Sequence, residues 1–218
     1  AAYDVATWSK IVGDGKPEDN ADVTADSPTD TFRETFEDPN DDLMTRWTVV
    51  TGVTPTIVDD VGVAGGRVLS VGDNSGDDRC VVYYSKKYIP YDPSKLYRVR
   101  VRVKRAAGTG NDFSAGVTAI DVNGDVILLE GSTGHWCAAY ATVADSDWEV
   151  HTGYISGHDA SPSQPSIGSA YDDPASPMPL IAGTLYFTPA LYLNRGGDTG
   201  TYYVDEVSID IIPEDADQ

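Results

Sequence analysis

Cysteine and methionine are scarce in this chain of 218 residues, with two of each against 13 Tyr and four Trp. Two cysteines, Cys80 and Cys137, can make one bridge at most, which excludes a disulfide-stapled scaffold and leaves their own pairing open. Long apolar runs are missing too, so no segment reads as a membrane span, and no signal peptide opens the chain. The first residue is Ala rather than Met, as expected of a processed chain or a piece of a longer one. Cations are few: 15 Lys and Arg stand against 35 Asp and Glu, a net charge of −20. That balance disfavours nucleic acid and anionic membranes as partners and favours solubility. There is no solenoid-type repeat and no amphipathic helix of three turns. Nucleophile turns of the Gly-x-Ser-x-Gly type, His-Glu-x-x-His and phosphate-cradling Gly loops are absent as well.

What is present is strand. Residues 97–104 read Tyr-Arg-Val-Arg-Val-Arg-Val-Lys, a strict period of two. On a pleated backbone Tyr97, Val99, Val101 and Val103 share one face, and Arg98, Arg100, Arg102 and Lys104 share the other. The first face needs a second layer to cover it; the second keeps its charges in water. An oily and a wet face on one long strand imply an antiparallel β-sandwich.

Further strands are expected at 33–37, 46–51, 56–59, 67–71, 80–85, 96–104, 113–121, 125–130, 136–143, 149–155, 184–194 and 202–211. Asn123-Gly124 tolerates positive φ and should turn a hairpin between 113–121 and 125–130. Many short strands between turn signals argue an all-β sandwich or jelly roll. Residues 1–30 lack periodicity and read as an extended arm or linker, with Trp8 as an anchor on the sandwich or on a neighbouring chain. The domain is expected over 31–213, followed by an acidic tail at 214–218. Residues 156–182 carry Pro162, Pro165, Pro174, Pro177 and Pro179 and read as one long loop. It either closes one end of the barrel or forms a lid, with Tyr171, Asp172 and Asp173 its most chemical residues.

Several constellations could carry chemistry. His135 and Cys137 share a strand face but lack a third metal ligand; His151 and His158 complete the histidines. No carboxylate pair stands out for glycoside hydrolysis, so a non-enzyme is expected. Carboxylates in turns suit hard cations such as Ca2+. The basic ladder either pairs with Asp and Glu on neighbouring strands or offers Arg100 and Arg102 to a glycan. Tyr84, Trp136, Tyr140, Tyr192 and Tyr202 read as rings not needed for the core, available to stack on sugar. Tyr192 and Asn194 alternate onto one face as a ring and an amide, with Arg195 beside them.

The order of these pieces resembles the jelly-roll carbohydrate-binding modules found beside xylanases and glucanases. The matching stretches are Thr35-Phe36-Glu37-Asp38-Pro39 with Trp47, Gly65-Gly66-Arg67-Val68-Leu69-Ser70-Val71, Tyr91-Asp92-Pro93 through Val103, and Tyr202-Tyr203-Val204-Asp205-Glu206-Val207. They span about 31–212. The resemblance implies a structural Ca2+ held by Glu37 and Asp205, with carbonyl help near Gly65 or Arg67. It transfers no sugar-binding aromatic. Residues 8–21, running from Trp8 through Gly13-Asp14-Gly15-Lys16-Pro17 to Asp19-Asn20-Ala21, are similar to a stretch in tailed-phage tail-fibre and host-specificity proteins.

Together the two resemblances imply a glycan-binding domain of a phage tail, located in the virion or otherwise extracellular. Its partners would be host-surface polysaccharide and other tail chains, as in a homotrimer. Two alternatives stand beside it: a structural or oligomerisation domain of a fibre, and an accessory module of a secreted polysaccharide hydrolase.

Overall fold

A computed structural model of the chain describes residues 30–37, 43–59, 66–72, 80–108, 112–127, 135–142, 147–160, 170–194 and 200–213. The arm with Trp8, the tail 214–218, Gly65 and Arg195 lie outside the described residues. The fold is an all-β, antiparallel jelly-roll sandwich of two sheets. Sheet A runs β11-β10-β7-β13-β4-β3, with β1 also paired to β13. Its strands are β1 (Asp30–Glu34), β3 (Thr56–Asp59), β4 (Arg67–Val71), β7 (Leu96–Gly108), β10 (Glu149–Asp159), β11 (Met178–Ile181) and β13 (Gly200–Ile212). Sheet B runs β2-β5-β12-β8-β9, with β6 on β12. These are β2 (Trp47–Gly52), β5 (Cys80–Tyr84), β6 (Ile89–Pro90), β8 (Asp112–Ile120), β9 (His135–Thr142) and β12 (Tyr186–Leu193). One helical turn, α1 (Leu43–Arg46), leads into β2.

The alternating strand sits where its pattern demands. β7 is central in sheet A, antiparallel to β10 on one side and β13 on the other. Tyr97, Val99, Val101 and Val103 are at most 1% exposed and face the rings of sheet B. Tyr97 meets Phe187 edge-on at 5.2 Å, and Phe32 of β1 meets Tyr84 of β5 at 4.9 Å. Each such valine removes one face of the strand from water, worth about 1.5–3 kcal/mol.

Where the chain first enters, charge is buried rather than excluded. Glu34 and Arg46 pair at 3.1 Å, both nearly covered, and Glu34 Oε1 also accepts the Phe36 amide at 2.9 Å. That bond supports Phe36 at φ 59°, the left-handed region a bulky residue normally avoids.

Two expectations about elements are corrected, and the open question of the cysteines is answered. Within 156–182 the chain is not one loop, because β10 continues to Asp159 and β11 forms at Met178–Ile181, parallel to it. Pro179 is tolerated there since β11 is an edge strand, where a missing N–H leaves no ladder bond unmade. The Asn123-Gly124 turn forms, with Gly124 at φ 86° and Asp121 Oδ1 accepting the Asn123 and Asp125 amides. The expected partner strand reduces to a bridge between Ile120 and Val126; 128–130 lie outside the described residues. Cys80 and Cys137 are both free and buried, on opposite faces of sheet B with β12 and β8 between their strands.

The two sheets meet along the β9–β10 edge. A Cβ on Gly153 of β10 would stand 2.2 Å from the backbone carbonyl of Ala138, the bulged residue of β9, so only glycine permits this approach. Tyr171 crosses the same seam: its amide donates to Ala138 O at 2.9 Å and its carbonyl accepts from Tyr154 at 2.7 Å. Asp172 and Asp173 are exposed beside it, and Asp173 Oδ1 caps the Ala175 amide. Tyr171 thus serves closure through its backbone.

Candidate functional site

The rings and cations picked from the sequence do not gather in one place. Tyr84, Trp136 and Tyr202 are corrected to core residues, at 7%, 2% and 0% exposure. Tyr84 pairs across from Trp47, and Trp136 from Val117, so both face inward with those partners. Asn194 follows the last residue of β12 at φ 53°, buried, and its amide donates to Gly200 O at 2.7 Å. It fastens the β12–β13 connection and forms no platform with Tyr192. The chain leaves strand geometry at that residue, which ends the alternation the sequence suggested.

Arg100 and Arg102 lie on the outer face of sheet A, on the other side of the molecule from Tyr192. There the ladder is mostly engaged with its neighbours. Arg98 pairs with Asp210 at 3.0 Å and Arg102 with Asp205. The Arg102 guanidinium and the Lys104 ammonium both lie over the Trp148 ring, at 4.6 and 4.5 Å. Arg33 approaches Glu206 at 3.4 Å. Arg100 has no ion-pair partner among the described residues and lines a shallow hollow with Val150 and Glu206.

The outer face of sheet B is different in kind. Register carries Thr48, Val81 and Tyr83 of β2 and β5 outward, with Tyr186, Thr188, Ala190 and Tyr192 of β12. Ser114, Gly116 and Thr118 of β8 and Cys137 and Tyr140 of β9 continue the same face. Along its middle the residues are small or hydroxylic. Tyr83, Tyr140 and Tyr192 are half-buried around them. Tyr88, just before β6, belongs to this neighbourhood: burial first, then the nearby Tyr83 and Asp125, push its phenol above the ordinary value. Thr188 donates its hydroxyl to Tyr84 O, so the floor is tied to the adjacent strand. Among the residues whose side chains are described, no Lys, Arg, Asp or Glu comes from these strand positions. Half-buried phenols around a neutral floor can stack on the C–H face of a sugar and hydrogen-bond its hydroxyls.

Tyr83 and Tyr186 escaped the sequence reading. The available signal was in the strands themselves: Cys-Val-Val-Tyr-Tyr and Tyr-Phe-Thr-Pro-Ala-Leu-Tyr-Leu do not alternate, so both faces are covered.

Glu37 and Asp205, implied as Ca2+ ligands, are both next to the β13 edge but engaged otherwise. Glu37 Oε2 accepts the Arg67 amide at 3.1 Å, and Asp205 faces Arg102. Among the described residues no three His, Cys, Asp or Glu side chains come together; Gly65, whose carbonyl the resemblance implies, lies outside them.

No family model and no curated protein matches the chain. Solved structures do. The C-terminal family 22 carbohydrate-binding module of Clostridium thermocellum Xyn10B aligns with TM-score 0.52 and 13% identity, over 85% of this chain and 96% of that one. The N-terminal modules of the endo-1,4-β-D-xylanase from the same organism, complexed with xylohexaose, align at 0.51 and 16%, over 85% of this chain and 29% of that one. The active domain of tailspike protein 4 of bacteriophage CBA120 aligns at 0.47 and 12%, over 82% of this chain and 20% of that one, too distant to argue from. At these identities what is shared is the fold: this chain has the jelly roll of xylan-binding modules.

Proposed function

We propose that this domain binds carbohydrate without cleaving it, and that the outer face of sheet B is where it does so. The observation that carries this reading is the set of half-buried tyrosines around a neutral, hydroxyl-bearing floor. The jelly roll shared with xylan-binding modules supports the ligand class. The finer setting, a phage tail in the virion touching host-surface polysaccharide alongside other tail chains, is supported by the sequence of 8–21.

Affinity electrophoresis through gels cast with neutral and acidic polysaccharides tests the reading. Retardation by a neutral polymer, weakened about tenfold in Tyr192→Ala, is the expected result. Unretarded migration through every polymer, by a folded sample, counts against it. A spacer role for the basic ladder against an acidic neighbour is less favoured, because Asp205 and Asp210 already meet two of its arginines.

A further inference from the structure

β13 changes partners along its outer edge. β4 pairs with Tyr202–Val204 and β1 with residues 207–210, so Asp205 and Glu206 fall in the gap. Asp205 is the extra residue where the β13–β7 register shifts between Val204 and Glu206, and such a bulge re-aims its side chain. Its carboxylate meets Nη1 of Arg102 on β7, and the two side chains are 21% and 37% exposed. The guanidinium is in turn held over Trp148. On the β4 side of the gap, Glu37 is tied to the Arg67 amide.

We propose that the Arg102 guanidinium supplies, in this chain, the positive charge that the resemblance assigns to Ca2+ at Asp205. Calcium takes six to eight oxygens, and a guanidinium on the same carboxylate repels it. Arg is permanently charged, and its planar donors match a carboxylate, so it can neutralise Asp205 and tie it to β7, where the implied metal would have tied it to Glu37 after β1. The inference is independent of whether the tyrosine face binds sugar.

Metal analysis, thermal unfolding with and without chelator, and a double-mutant cycle test it. The wild-type protein should carry no stoichiometric Ca2+ and melt at one temperature in chelator and in millimolar CaCl2. Arg102→Gln and Asp205→Asn should each lower the midpoint by about 2–5 °C, and the double variant no further than either. Arg102→Lys, which keeps the charge, should fall between. If either single variant fails to fold, the other, with the wild-type chelator response, still decides the matter. Bound Ca2+, a wild-type midpoint that drops in chelator, Arg102→Gln melting as wild type, or strictly additive losses would each overturn it.

Discussion

The outer faces of the two sheets have opposite designs. On sheet A, β7 alternates valine with cation, and Arg98, Arg102 and Lys104 are met by Asp210, Asp205 and Trp148. On sheet B, between the strand ends, the strands carry small, apolar, hydroxylic and aromatic residues, and the middle of the outer face is as covered as the inner one: Val81, Ser114, Thr188 and Ala190 are at most 2% exposed, with half-buried Tyr83, Tyr140 and Tyr192 around them. The difference teaches that strict alternation marks a face given over to water and surface ion pairs. Its loss marks a face with work to do. By that criterion the candidate site lies opposite the strand that dominates the sequence.

Ion pairs sharpen this contrast most. Arg46→Met leaves Glu34 buried without its partner and should cost about 3–5 kcal/mol in denaturant unfolding. Ligand binding divides the faces next. Tyr192→Ala on sheet B should weaken polysaccharide retention about tenfold, roughly 1.4 kcal/mol, while Arg100→Gln on sheet A leaves it unchanged. The reverse outcome would move the site to the ladder.

The interior layer can be read by pH. Burial pushes the Cys80 thiol from 9.0 up to about 12. The unfolded chain therefore loses that proton first, so stability is full below pH 9 and falls as pH rises toward 12. By pH 10 the loss should be about 1 kcal/mol, and Cys80→Ser should flatten that slope. The smallest effect belongs to sheet A's wet face. Arg33→Gln should cost at most about 1 kcal/mol and nothing measurable in molar salt, because its pair with Glu206 is about a third exposed and is screened.

Much of the fold was legible because period-two patterning is a local property. Residues 56–59 and 67–71 match β3 and β4 residue for residue, and Val99, Val101 and Val103 are interior. What escaped was set by neighbours distant in the chain. Pro179 looked like a loop residue until β11 proved to be an edge strand. Tyr84 and Trp136 looked spare because sequence shows the period of a strand but not which phase points inward. Tyr192 was named correctly as an outward ring, yet Asn194 was joined to it by an alternation that the turn at φ 53° breaks. Arg100 and Arg102 belong to a coherent ladder that register places on the other sheet from Tyr192.

The first and last strands among the described residues lie side by side, with Asp30 opposite Asp210 and β13 ending two residues later at Ile212. The two strands are thus about 5 Å apart where the described chain enters β1 and nears the end of β13, at one corner of sheet A. A tether pulling on both ends would load this antiparallel pair like a zipper, opening one rung at a time rather than shearing them all together. If the domain hangs in a longer assembly under tension, β1 should peel first, and Phe32 and the Glu34–Arg46 pair are the latch that resists it.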